Sequence, residues 1–497
     1  MTSQPVVRTS RGAVQGCWRD GSAAFLGIPF AEAPVGALRF GAPVPHGPWD
    51  GVRDATVYGA TAQRRPFGEV TAIPEPSIPG ESTLNVNVFT PSPQPAEPTE
   101  LLPVLVWIHG GGYKAGSPAS PWYEGAAFNR DGVVTVTLSY RLGFDGFGWV
   151  EDAPHNRGLL DQIEALRWVQ REIAAFGGDP TRVTIAGQSA GGGSVLALLA
   201  SPMARGLFHG AISQSGALDP PSKADARALG QRVAELAGVP CTRAGLAALS
   251  EDELLDLQDT VEAERARHPQ SVAQAVTDTV AAGLDLIAFV PYLDGEVLTT
   301  ETDLAAALSD PASQSIPLLI GSTAHEFTQV GAMFAELPGD LGAALADSRL
   351  DAAAPQLLES FADLPEAPGY GLGQLITELT FRVPVVAVAG ARDEGATWVY
   401  DFAYARPGDG LAPHCVDLPF VWDCLDAERV TASTGDDPPQ ALADEMHSDW
   451  VEFVRTGAVS WPRWDQTEHT TKTYATPSRV GPGYALEVAL EQAGSHA

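Results

Sequence analysis

The residues best placed to do chemistry stand in one short turn, Gly187-Gln-Ser-Ala-Gly191, which follows the apolar run 183–186 and leads into the small-residue, apolar stretch 192–200. That pattern reads as strand, tight turn, helix. A serine at such a bend is forced into a strained backbone conformation that lifts its hydroxyl out of the sheet, and only small neighbours two residues to either side avoid collision. Gly187 and Gly191 meet that demand. Ser189 is therefore a candidate nucleophile, and the Ala190 N–H, at the helix start, is placed to hold a developing oxyanion. Taken alone, the pentapeptide also fits a glycine-rich turn with no chemical role.

A second segment argues for chemistry. Residues 101–108 read as a buried strand running directly into His109-Gly-Gly-Gly-Tyr113. Three consecutive glycines leave backbone N–H groups free to point at a ligand, and a loop in this position supplies the second half of an oxyanion hole. Gly111 and Gly112 are the expected donors beside Ala190.

A nucleophile of this kind needs a base and an acid that orients it, and around such a turn they follow along the chain in the order serine, acid, histidine. Of the ten histidines, seven lie beyond Ser189. His209 is too close to leave room for an intervening acid, and His268 follows a charged helical stretch. His447 has the surroundings of a packed or surface side chain, and His469 and His496 sit in polar segments. His414 lies in a loop rich in glycine and proline, where catalytic groups concentrate. For the acid, 316–321 reads as a short buried strand with Ser322-Thr-Ala-His-Glu326 at its C-terminal end, the edge where ligand chemistry gathers in α/β sheets. Glu326 leads; Asp294, in an Asp-Gly pair that a turn explains as well, is its rival. His325 is a poorer base because neighbouring loop side chains diverge.

These segments, with Phe25-Leu-Gly-Ile-Pro-Phe30, Glu81-Ser-Thr-Leu-Asn85, Asn156-Arg-Gly-Leu-Leu-Asp161, Ala211-Ile-Ser-Gln-Ser-Gly216 and Trp450-Val-Glu-Phe-Val-Arg455, resemble the type-B carboxylesterase family of α/β-hydrolases nearly end to end. That family includes cholinesterases and bacterial para-nitrobenzyl esterases. The resemblance implies a triad of Ser189, Glu326 and His414, an oxyanion hole of Gly111, Gly112 and Ala190, and no cofactor or metal. It further implies an ion pair between Arg39 and Glu81 and a supporting hydroxyl from Ser215.

The chain departs from the family in three places. Gln188 stands where glutamate is usual before the nucleophile, keeping a hydrogen-bonding amide but removing a charge. Phe327 follows the acid where a small residue is common. Thr83 replaces a cysteine, removing half of a disulfide typical of secreted members.

The expected architecture is a single α/β-hydrolase domain over 1–497, a mostly parallel central sheet flanked by helices. Helical cap regions are expected at about 219–288 and 331–400. Leu159, Ile163, Leu166, Val169, Ile173 and Phe176 recur at helical spacing and predict a helix packed on the sheet. Strand-like runs are expected at Phe289 and Ile316, and 91–103 reads as a surface loop between strands. The formal net charge of -32, from 62 acidic and 30 basic side chains, repels nucleic acid and anionic membranes. No uninterrupted apolar run reaches spanning length and no export signal is evident, so a cytoplasmic enzyme is expected. Cys17, Cys241, Cys415 and Cys424 are expected to be free thiols, Cys415 making the site sensitive to thiol reagents.

The reaction expected is hydrolysis of a small-molecule carboxylic ester through an acyl-enzyme. The same apparatus also suits carbamates or amides, and a non-catalytic binding role is the alternative of a different class. Tyr113, Phe327, Phe402 and Trp422 are the aromatic candidates for lining the pocket.

Overall fold

The computed structural model describes residues 4–19, 21–68, 71–93, 101–216, 219–282, 287–299 and 304–494. A small sheet pairs β1 (Val6–Arg8) with β2 (Ala13–Gln15), and β2 with β5 (Val52–Asp54). The other strands form one large sheet. In chain order they are β3 (Cys17–Arg19), β4 (Ser22–Pro29), β6 (Asn85–Thr90), β7 (Leu102–Ile108), β8 (Val134–Leu138), β9 (Gly178–Gln188) and β10 (Gly210–Gln214). Then follow β11 (Leu318–Thr323), β12 (Thr397–Phe402), β13 (Thr470–Tyr474) and β14 (Arg479–Pro482). Their spatial order is β14-β13-β12-β11-β10-β9-β7-β8-β6-β4-β3.

From β8 through β13 every neighbouring pair is parallel, and the antiparallel pairs lie at the two ends. A parallel middle needs helices on both faces, so its strands read as continuous apolar runs. Residues 103–108 of β7 and all five residues of β8 are buried. The helix Arg157–Glu172 covers one face, and the six residues at helical spacing are all buried, with Ile173 and Phe176 in the 3-10 turn that ends it.

The chain leaves β7 toward β8 on one side and returns to β9 on the other. That reversal opens a crevice at the carboxyl ends of β7 and β9, where α/β sheets place their ligands. The glycine loop and Ser189 both follow strands that end there.

Two inserted helical stretches, one between β10 and β11 and one between β11 and β12, share an apolar core in which Val276, Leu345, Leu357 and Leu375 are buried. The second insertion ends before Thr397, because β12 belongs to the sheet; the expected boundary near residue 400 ran into that strand. Residues 283–286 of the first lie outside the described residues. The Phe289 run is not a strand: its ring packs edge-on against Phe144, with centroids 5.2 Å apart, and only Leu293 makes a bridge, to Ser222. Most of 91–103 lies outside the described residues, and Pro103 is already within β7. By length and composition the helical run 370–391 is apolar enough to cross a bilayer, yet it packs inside the fold, with Glu378 and Arg382 buried in a π turn.

One buried ion pair ties the crevice floor to the N-terminal segment. Arg141, just after β8, forks onto Asp161 through Nε and Nη2 at 2.8 and 2.7 Å, and its Nη1 donates to the Gly41 carbonyl at 2.7 Å. Asp161 is fully buried. Asp161→Ala, which strands the Arg141 charge, is expected to cost about 3–5 kcal/mol of stability, read as a lower unfolding midpoint in a thermal or denaturant melt.

Candidate active site

Ser189 has φ 58° and ψ −125°, the strained turn expected between β9 and the helix Ala190–Ala200. It is tolerated because backbone meets backbone: a Cβ on Gly191 would lie 2.0 Å from the Ile108 carbonyl oxygen. The turn is pinned by the Ser189 N–H, which donates to the Gln214 carbonyl at 2.9 Å, and by Gly193 N–H, which donates to the Ser189 carbonyl at 2.8 Å.

The glycine loop is held by His109. Burial keeps that imidazole neutral, its pKa lowered to about 4, and it stacks on Tyr140, whose hydroxyl donates to the His109 carbonyl at 2.9 Å. Gly111 and Gly112 take φ of 104° and 58°, left-handed values suited to glycine. Among the described residues, neither of their N–H groups has a protein acceptor. The Ala190 N–H opens a helix, where first-turn donors have no intrahelical partner.

Glu326 and His414 come from different loops that are zipped together. His325 N–H donates to the Ala412 carbonyl, Ala412 N–H to His325 Nδ1, and His414 N–H to the Glu326 carbonyl, each at 3.0 Å. His325 is thereby structural, with burial lowering its pKa to about 4. The buried Glu326 carboxylate accepts the Thr323 N–H at 2.7 Å through Oε1 and the His414 Nδ1–H through Oε2. Burial disfavours a charged His414 ring, but Cys415 and Glu326 outweigh it and hold the pKa well above the usual histidine value.

The other ring nitrogen faces the elbow. Gln188, 1% exposed, donates its Nε2–H to His414 Nε2 at 3.1 Å. The Ser189 hydroxyl makes no hydrogen bond to His414 among the described residues, and the Gln188 amide stands at the ring nitrogen that would receive it. The structure thus joins Glu326, His414 and Gln188 in one chain of hydrogen bonds, with Ser189 next to Gln188 along the backbone. Catalytic hydrogen bonds often close only when substrate is bound.

Asp294 belongs elsewhere. Its Oδ1 accepts the N–H groups of Glu296, Val297 and Leu298 at 2.6, 2.8 and 3.1 Å, and its Oδ2 accepts Asn156 Nδ2–H at 2.6 Å. Ser215 is buried, and among the described residues its Oγ has no hydrogen-bond partner, so it does not hydrogen-bond Glu326 through that atom. Arg39 pairs with Asp145 at 3.2 Å, not with Glu81, which is exposed at the surface. All four cysteines are free.

Of the aromatic candidates, only Phe327 reaches the site. Its ring lies 5.1 Å from that of His414, and Phe381 contacts His414 at 5.0 Å. Tyr113 packs against Phe147, Phe402 against Phe420, and Trp422 against Trp107 and Phe128. Two contributors escaped the sequence reading. Phe381 stands in a π turn, a geometry that recurs at functional sites. Asp417, three residues beyond His414, is fully buried; burial raises its pKa to about 6, and it accepts Gln214 Nε2–H at 2.8 Å. Gln214 also receives the Ser189 N–H, so Asp417 backs the elbow.

The Carboxylesterase family profile matches residues 3–480. Para-nitrobenzyl esterase of Bacillus subtilis (strain 168) is 36% identical, over 97% of this chain and 96% of its own length. Liver carboxylesterase 1 of Mus musculus is 33% identical, over 93% and 88%. The solved structure of a thermophilic PNB esterase superposes with a TM-score of 0.81 at 32% identity, covering 99% of this chain and all of its own. The match spans the elbow, the glycine loop and both loops of the Glu326–His414 pair, and the chain belongs to the carboxylesterase family of α/β-hydrolases.

Proposed function

We propose that this carboxylic ester hydrolase works through an acyl-enzyme on Ser189, with His414 as general base and acid, Glu326 as the orienting carboxylate, and the N–H groups of Gly111, Gly112 and Ala190 as the oxyanion hole. The observation that carries this reading is the buried Glu326–His414 pair facing the strained Ser189 turn.

His414 takes the Ser189 proton at Nε2 as the hydroxyl attacks the ester carbonyl, while Glu326 fixes the Nδ1–H tautomer and stabilises the imidazolium that forms. The carbonyl oxygen, now negative, accepts from donors that have no other acceptor. Collapse breaks the bond to the alcohol oxygen, to which His414 returns the proton. Water, deprotonated by the same nitrogen, then cleaves the acyl-enzyme. Gln188 must yield the Nε2 lone pair at the start of each half-reaction. The two inserted helical stretches act as a cap over this single site. Four free thiols suit a reducing, cytoplasmic setting.

Ser189→Ala is expected to keep the fold, judged by circular dichroism, and to lose nearly all turnover of a short-chain para-nitrophenyl ester; full activity would refute the assignment. Glu326→Gln is expected to lower kcat by about a thousandfold or more. Asp294→Asn, which weakens a buried turn, is expected to lower the melting midpoint and leave kcat much closer to wild type. The reverse ranking would move the acid.

Gln188→Glu tests the amide. A carboxylate there stabilises imidazolium and raises the His414 pKa further, beyond the effect of Glu326 and Cys415. Only neutral His414 accepts the Ser189 proton, so the acidic limb of kcat/KM moves to higher pH. A one-unit shift would correspond to about 1.4 kcal/mol. A limb that stays in place or moves to lower pH contradicts the assignment.

A further inference from the structure

A buried arginine stands one residue past the ring of Phe381 that packs on His414. Arg382, 8% exposed, closes the π turn Glu378–Arg382 and shares its guanidinium among carboxylates from three elements. Its Nε pairs with Glu487 at 2.5 Å and with Glu378 at 3.3 Å, and its Nη1 pairs with Asp401 of β12 at 2.8 Å. The same Nη1 donates to the Thr323 carbonyl at 3.3 Å. Thr323 is the residue whose N–H holds Glu326 Oε1. A buried guanidinium is costly unless its partners are well placed, and these partners meet at the root of the Glu326 loop.

The C-terminal segment completes the arrangement. Glu487 belongs to the helix Ala485–Gly494, and Tyr484, just before it, holds φ 56°, a left-handed value that a bulky residue rarely adopts. Its ring is buried, with the Arg382 guanidinium 4.6 Å from the centroid. Every hydrogen-bonding capacity of the hydroxyl is used. It donates to the Tyr400 carbonyl of β12 at 2.9 Å, and it accepts the Ser322 N–H at 3.3 Å and the Ser322 hydroxyl at 2.9 Å. Ser322 lies in β11 next to Thr323, so Tyr484 grips the strand end from which the acid loop leaves, 162 positions earlier in the chain.

The far side of that loop is fastened to the helical run that Arg382 ends. Gln374 Nε2 donates to the Ala324 carbonyl at 3.0 Å and to Glu378 at 2.7 Å, and the Phe327 N–H donates to Thr377 Oγ1 at 2.9 Å. Residues on both sides of Glu326 are thus bonded to a segment that Arg382 joins to the C-terminal helix.

We infer that Tyr484 and Glu487 are positioning residues for the reaction: through Ser322 and Arg382, the C-terminal helix fixes the loop of Glu326, and with it Phe381, against His414. This rests on the roles proposed above for Glu326 and His414. The charged and titratable groups around Arg382 are Glu378, Asp401, Glu487, Tyr484 and, on the acid loop, His325. Those around His414 are Glu326, Cys415 and Asp417. Glu326 is the one whose loop the C-terminal segment holds. A loosened docking therefore weakens its hold on the imidazolium and lowers the pH at which His414 becomes neutral.

Tyr484→Phe keeps the ring and every charge and removes the hydroxyl's three hydrogen bonds. It is expected to lower kcat on para-nitrophenyl acetate about tenfold, with KM within about twofold, and to move the acidic limb of kcat/KM about half a unit to lower pH. Glu487→Gln is expected to act in the same direction and to add little to Tyr484→Phe, because both release one docking. Leu490→Ala is the control, in the same helix but buried in the apolar core of the inserted stretches. It is expected to lower the melting midpoint and leave kcat and the limb at their wild-type values. All rates are read well below each melting midpoint. A folded Tyr484→Phe with wild-type kcat and limb overturns the inference, as does a Leu490→Ala limb displaced as far as that of Tyr484→Phe. Glu326→Gln in the same assay separates the two readings. Wild-type turnover there means the acid assignment has failed; its collapse, with Tyr484→Phe and Glu487→Gln unchanged, means the positioning role alone has failed.

Discussion

Everything at this site depends on two backbones meeting with no side chain between them. The end of β7 and the turn after β9 approach so closely that Gly191 has no room for a Cβ beside the Ile108 carbonyl, and one on Gly110 would lie 2.7 Å from the Gln188 carbonyl oxygen. That contact sets the glycine loop against the Ser189 turn and keeps Ser189 at positive φ. Strain of this kind persists only where the surroundings over-determine it. Here they do: parallel pairing fixes β9 between β7 and β10, and the Gln214 carbonyl, itself backed by Asp417, holds the Ser189 N–H.

A second constraint is electrostatic. A buried carboxylate is tolerable when hydrogen bonds satisfy it, and Glu326 has the Thr323 N–H on one oxygen and His414 on the other. Phe327 and Phe381 shield the imidazole, which strengthens its coupling to Glu326 by excluding water. Gln188 acts on the opposite nitrogen. With its Nε2–H turned toward His414 Nε2 it bonds the neutral ring, which in the proposed mechanism favours the state that accepts a proton while occupying the atom the serine would use. A glutamate there would reverse the first effect.

The parts of this design that were legible in the sequence are those written in short stretches. The elbow and the glycine loop declare themselves because tight turns between buried strands leave few residue choices, and Glu326 follows from a strand-end loop. The helix Arg157–Glu172 was readable from its spacing. What escaped depends on distant segments meeting: Phe381 looks like any apolar helix residue until a π turn aims it at His414, and Asp417 gains its role only beside Gln214. Phe289 was misread because a short apolar run carries no sign of whether it will pair as a strand or pack on a neighbouring ring. The Arg39–Glu81 pair, expected from resemblance, gives way to Asp145 because Arg39 reaches inward while Glu81 stays at the surface.

The most direct test of the account is where a serine-reactive probe goes. After treatment with phenylmethylsulfonyl fluoride or an organophosphate, intact mass and peptide mapping are predicted to show one adduct per chain, on Ser189, forming in step with loss of ester turnover and absent from folded Ser189→Ala. Modification of a different residue in step with inactivation, or ester turnover that persists with Ser189 fully modified, would contradict it.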